Sequence, residues 1–130
     1  MASIFTKIVN GEIPCYKIAE TANCLAFLDV FPLVKGHTLV IPKKEVDYIF
    51  DLDDALFGEL HLFSKKVALA VGKAMPCKRV GVAVIGLEVP HAHIHLVPLN
   101  SVSDINFAQP KLKLSAEELE QARQAIVKCL

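Results

Sequence analysis

Val89-Pro90-His91-Ala92-His93-Ile94-His95-Leu96-Val97-Pro98 sets three of the chain's five histidines at alternate positions. On an extended strand alternate side chains point to one face, so His91, His93 and His95 share a side and Ala92, Ile94 and Leu96 take the other. A polar row backed by an apolar row is the pattern of a strand with one face in the core. Three imidazoles in a row are costly to bury, and packing alone gives no reason for them. The chemistry is expected here.

Working outward, Arg79 to Ile85 is β-branched and small and reads as a strand, joined to the histidine strand by Gly86 to Pro90. Before it, Leu52, Leu56, Leu60, Phe63, Val67 and Val71 recur at helical spacing, which predicts a helix over about 53–75. Asp51, Asp53 and Asp54 near its start and Lys65, Lys66 and Lys73 towards its end suit the helix dipole, and Pro76 stops it. Earlier still, His37 to Pro42, Cys24 to Val30 and Tyr16 to Ala19 read as three strands, the last two joined by a polar turn over Glu20 to Asn23. Ile4, Phe5 and Ile8 predict a turn or two of helix, stopped near Asn10-Gly11. At the other end, Asn100 to Pro110 reads as an irregular loop. Ser115 and Glu118 form a capping box for a C-terminal helix carrying Leu119, Ala122, Ile126 and Cys129. The expected class is α+β, a single domain over 1–130. A five-stranded, mainly antiparallel sheet carries one long and one C-terminal helix, with the helices packed on one face.

Composition narrows the function. Of 130 residues, 53% are hydrophobic and 22% charged, which fits an ordered soluble protein and hints that a second subunit covers part of the apolar surplus. Fourteen basic residues balance fourteen acidic ones, so no global field draws in nucleic acid or an anionic membrane. No apolar run approaches the 18 or so residues of a membrane span. No secretory pattern is read at the start, and Cys15, Cys24, Cys77 and Cys129 form no CxxC pair. Reduced thiols in a cytoplasmic protein are expected.

Three readings of the histidine row compete. It can be a polar stripe facing solvent. It can be a metal site, with His37 adding a ligand, although each two-residue step advances roughly 6.5 Å while ligand nitrogens sit about 2 Å from zinc. Or the central imidazole can be a nucleophile, its other nitrogen held protonated by an acceptor, while the flanking rings stabilise or protonate a reacting phosphoryl group.

The run His91 to Val97, histidines alternating with apolar residues, resembles the signature of the histidine triad (HIT) proteins. Three further blocks resemble Hint-type members of that family in the same order: Ile4 to Pro14, Leu25 to Asp29, and Gly36 to Lys43. The resemblance implies a purine-nucleotide hydrolase or transferase acting at the α-phosphate, phosphoramidase or dinucleoside polyphosphate hydrolase in type. A nucleotide-binding module with little catalysis is the alternative. By position, His93 corresponds to the nucleophile, His91 and His95 to its assistants, and His37 to a supporting histidine. Asp29 matches the carboxylate that accepts the ribose hydroxyls, and Ile4, Phe5, Ile8, Phe27, Leu28 and Val30 match the base slot. A homodimer without cofactor follows from the same likeness. Two departures stand out. Many bacterial members hold structural zinc through cysteines where this chain has Ser3 and Thr6, and Glu45 or Val46 stands near a usual histidine ligand, so no metal is expected. The glutamine and hydroxyl that usually serve the phosphate correspond to Leu87 and Glu88, so the phosphate cradle looks reduced.

Overall fold

The computed structural model describes residues 2–130; Met1, the first residue of the expected domain, lies outside them. Helix α1, Ile4–Val9, begins where the Ser3 hydroxyl accepts the Thr6 N–H and ends at Asn10. Strands β1 (Lys17–Glu20), β2 (Cys24–Leu28) and β3 (Thr38–Pro42) follow. Helix α2, Asp54–Ala74, starts on the Asp53 carboxylate, which accepts from the Leu56 N–H at 2.8 Å, and stops short of Pro76. Strands β4 (Arg79–Ala83) and β5 (Ile94–Leu99) complete the sheet, and α3, Ala116–Val127, closes the chain. Its capping box is formed: Glu118 N–H donates to Ser115 Oγ, and Ser115 N–H to Glu118 Oε1, both at 3.1 Å.

The strand order is β1-β2-β3-β5-β4 and every ladder is antiparallel. All five residues of β2 and of β3 are buried, so both sheet faces need cover. One face, with Leu28, Val40, Ile94 and Leu96, packs on Leu60, Phe63 and Val67 of α2 and on Leu119 and Ile126 of α3. The other face presents Leu25, Phe27, Leu39 and Ile41, and Phe5 of α1 packs among them. The expectation that the helices share one face therefore holds for α2 and α3 and fails for α1. The second apolar face requires its own lid, and six residues carrying Phe5 supply it.

Strand limits also differ from expectation. β5 starts at Ile94, not at His91 directly after the Gly86 to Pro90 connection. β3 pairs with it only from Thr38–Leu96 to Val40–Ile94. Upstream the backbone leaves the ladder, because Ala92 N–H donates to Val46 O at 2.7 Å and His91 N–H to Val89 O at 2.8 Å. β4 ends at Ala83, opposite His95, rather than at Ile85. β2 ends at Leu28 rather than Val30, and β1 sits one residue later than Tyr16–Ala19. The turn into β3 depends on Gly36, whose φ of +95° favours glycine and whose added Cβ would lie 2.6 Å from Met75 Cγ.

Candidate active site

Above the α1 face lies a cavity of about 420 Å³, a size suited to a small-molecule ligand. Its apolar slot is made by Ile4, Phe5 and Ile8 from α1 against Phe27, Leu28 and Val30 from β2 and the residues after it. Asp29, His37, His93 and His95 also line it, so ten of the eleven residues singled out in the sequence meet in one cavity. His91 is the eleventh. It does not line the cavity but is fully buried behind it, its ring 5.8 Å from Phe5. Leu87 and Glu88 lie on the cavity wall.

Hydrogen-bond partners fix which nitrogen of each neutral imidazole carries the proton. A carbonyl oxygen only accepts, so His91 Nε2, 2.7 Å from Pro42 O, is protonated, and His91 Nδ1 accepts from the Ser3 hydroxyl at 2.9 Å. His93 Nδ1–H donates to the His91 carbonyl at 2.7 Å. His93 Nε2 then carries the lone pair and has no protein partner. Among the described residues no buried side-chain nitrogen or oxygen is left unpaired, so this nitrogen is open to solvent. His37 Nδ1 accepts the Leu33 N–H at 3.0 Å, which puts its proton on Nε2, donated to His95 Nδ1 at 2.9 Å. His95 is left with a free Nε2–H. The site therefore offers an acceptor nitrogen on His93 and a donor N–H on His95, their rings 4.9 Å apart.

Burial keeps His37, His91 and His95 neutral. It pulls His37 down to about 4 and His95 to about 3, with the charge of Lys111 acting in the same direction on both. His91 is lowered by burial as well, against the opposing pull of the Pro42 carbonyl and Glu45. Asp29 is raised by burial, opposed by the Phe31 N–H and by Lys111. Its Oδ1 accepts that N–H at 2.9 Å, so the turn-forming use of an aspartate after a strand is present. Its Oδ2 lies 3.8 Å from His37 Nε2.

Two sets of side chains invite a metal. Asp29, His37 and His95 bring ligand atoms within 4.8 Å of one another. His37 Nε2 and His95 Nδ1, however, already share a proton at 2.9 Å. That is tighter than the roughly 3.3 Å between two nitrogens on one tetrahedral zinc. The second set is Ser3, Thr6, Glu45 and His91. Glu45 Oε1 accepts from Ser3 N–H and from the Thr6 hydroxyl, both at 2.6 Å, while Ser3 Oγ–H serves His91. Two hydroxyls, one carboxylate and one imidazole are not a zinc donor set, and these four satisfy one another. A polar knot ties α1 to the back of His91.

Sequence reasoning did not assign that knot, nor Phe107 and Lys111. Phe107 lies edge-on to His95 at 4.6 Å and to His37 at 6.2 Å, and Lys111 joins it on the cavity wall. The only local signal was a lone aromatic in a polar loop, followed by the basic run Pro110-Lys111-Leu112-Lys113.

An all-antiparallel five-stranded sheet bearing a histidine row of this geometry defines a class, and comparison identifies it. The HIT domain family matches residues 10–102, and the chain belongs to that family. The adenosine 5'-monophosphoramidase hnt1 of Schizosaccharomyces pombe is 37% identical over 128 residues, covering 97% of this chain and 96% of its own. The adenosine 5'-monophosphoramidase HNT1 of Saccharomyces cerevisiae is 36% identical over 102 residues, covering 75% of this chain and 62% of its own. Among solved structures, a Hit-like protein from Bartonella henselae superposes with a TM-score of 0.86 at 29% identity, covering 98% of this chain and 96% of its own.

Proposed function

We propose that this chain is a nucleotide hydrolase of the phosphoramidase type, acting at the α-phosphate of a purine nucleotide through His93. One observation carries the reading. His93 Nδ1–H is pinned to the His91 carbonyl, so its Nε2 lone pair opens onto a cavity with an apolar slot on one side and a free His95 N–H on the other. The base lies in the apolar slot that Ile4, Phe5 and Ile8 form with Phe27, Leu28 and Val30, and the free Asp29 oxygen accepts the ribose hydroxyls. His93 Nε2 attacks phosphorus, an N–P bond forms, and the P–N or P–O bond to the leaving group breaks. That group departs with the bonding pair and takes a proton from solvent. Water then attacks phosphorus and gives up a proton to solvent, the N–P bond breaks with its electron pair returning to His93 Nε2, and the nucleoside monophosphate leaves. Neutral His95 acts here as a hydrogen-bond donor to the phosphoryl oxygen; giving up its remaining proton would leave an imidazolate.

His93→Ala is expected to abolish hydrolysis of adenosine 5'-phosphoramidate while AMP still raises the melting temperature. Unchanged turnover in the variant overturns the mechanism. A second reading, a nucleotide-binding module with little catalysis, is favoured by Leu87 and Glu88, whose side chains bring no phosphate donor to the wall. It predicts AMP binding with equal, negligible turnover in wild type and variant. A cytoplasmic homodimer is part of the proposal. The outer strand β4 leaves an edge unpaired, and Val82 on it is 61% exposed, which suits a second copy.

A further inference from the structure

The segment between β5 and α3 returns to the mouth of the cavity and is held there. Leu112 N–H donates to Pro32 O at 2.8 Å, tying the segment to the loop that follows Asp29. Phe107 lies edge-on to His95, at 4.6 Å and 69°. Lys111 Nζ donates to the Phe107 carbonyl at 3.0 Å and sits 5.5 Å from the centre of the Phe107 ring. The aromatic thus positions the lysine, and both side chains line the cavity that His93 and His95 line.

The charges around this cavity make the placement informative. Asp29 and Glu88 are its two carboxyl residues, and Lys111 is the one lining residue with a permanent positive charge. No ion pair among the described residues involves Lys111. An α-phosphoryl group carries at least one negative charge and gathers more as a bond to phosphorus forms. Neutral His95 gives it one hydrogen bond, the Leu87 side chain gives none, and the Glu88 carboxylate repels it. Without a cation the cavity would disfavour the anion that the proposed reaction requires.

We propose that Lys111 is the phosphate-binding residue of this site. It supplies from the C-terminal segment the positive charge and donor that residues 87 and 88 do not, and Phe107 holds it in reach of His95. The inference rests on the nucleotide reading above. Lys111 already acts on the site electrostatically, since its charge favours ionised Asp29 and disfavours protonation of His37 and His95.

The test is calorimetric binding of AMP and of adenosine to wild type, Lys111→Met and Lys111→Arg. Lys111 is exposed, and an unchanged melting temperature checks that the variants fold. Loss of one charge-assisted contact is expected to weaken AMP binding by about 10- to 100-fold in Lys111→Met and leave adenosine binding as it was. Lys111→Arg is expected to retain most AMP affinity. Equal losses for both ligands, or no loss for AMP, overturn the assignment while wild-type AMP binding and His93-dependent turnover leave the nucleotide reading intact. Wild-type protein that binds neither ligand overturns both.

Discussion

Replacing His37 with phenylalanine removes two nitrogens while keeping a flat ring beside Phe107. Two buried groups lose their partners: the Leu33 N–H, which donates to Nδ1 at 3.0 Å, and His95 Nδ1, which accepts from Nε2 at 2.9 Å. Leu33 and His95 are only 8% and 7% exposed, so water does not readily replace what is lost. At about 1–3 kcal/mol for each orphaned group, the variant should lose roughly 2–6 kcal/mol. For a chain of this length that is a fall in Tm of roughly 6–20 °C. The catalytic loss has a separate cause. Nothing then fixes the proton on His95 Nε2, and whenever it moves to Nδ1 the ring turns a lone pair towards an anionic phosphoryl group. Full loss of one oriented donor costs about 10²–10³ in rate, and the variant should approach that limit from roughly 10-fold upward. Steady-state hydrolysis of adenosine 5'-phosphoramidate, with Tm measured on the same preparation, checks both numbers. His37→Asn, which keeps one acceptor and one donor, should recover part of each. A His37→Phe protein within about threefold of wild-type kcat and about 2 °C of its Tm refutes the relay of protons from His37 to His95.

Two other outcomes follow from the same network. Ser3→Ala removes the α1 N-cap and orphans His91 Nδ1; about 1 kcal/mol for the cap and about 1–3 for the buried acceptor should appear as a lower urea midpoint, and an unchanged midpoint contradicts the assigned tautomer. Stability should also fall on acidification. Between pH 6.5 and about 4 the unfolded chain takes up protons that His37 and His95 refuse when folded, so stability is full above 6.5 and is lost as pH drops. From pH 7.5 to 5 the loss is about 2 kcal/mol for each ring, partly offset by Asp29, whose raised value has the opposite sign. Urea denaturation at the two pH values measures it, and equal or greater stability at pH 5 contradicts it.

The helices were legible because their signals are local. Asp53, Ser115 and Glu118 act within three residues of themselves, and the apolar spacing of α2 reports its own buried stripe. The start of β5 was not legible, because the alternation of His91, His93 and His95 runs unbroken across a point where the hydrogen-bond partner changes from β3 to Val46. Side-chain period tells which way residues point, not whether a neighbouring strand is there to pair. The cavity's residues were found largely through the family blocks. His91 shows the limit of counting by face: it shares the alternation yet is turned into the protein, because Ser3 and the Pro42 carbonyl claim both its nitrogens. Ser3, Glu45, Phe107 and Lys111 were missed for one reason. Each acts across a long loop closure, and nothing in the spacing of a sequence announces which distant loop will return to a site.

Strand β3 has a consequence that reaches beyond the sheet. Its last residue, Pro42, holds His91 by a carbonyl, and His37, the residue just before its first, holds His95 by a ring N–H. The strand acts as a gauge block, clamping the outer histidines at a separation set by strand pitch and leaving His93 suspended between. Loops around the cavity can lengthen, shorten or exchange side chains and thereby change what is bound. One residue added to or removed from β3 would throw both clamps out of step together and carry alternate side chains to the wrong face. A change at the mouth alters what is bound, whereas a change in the length of β3 disturbs the histidine row itself.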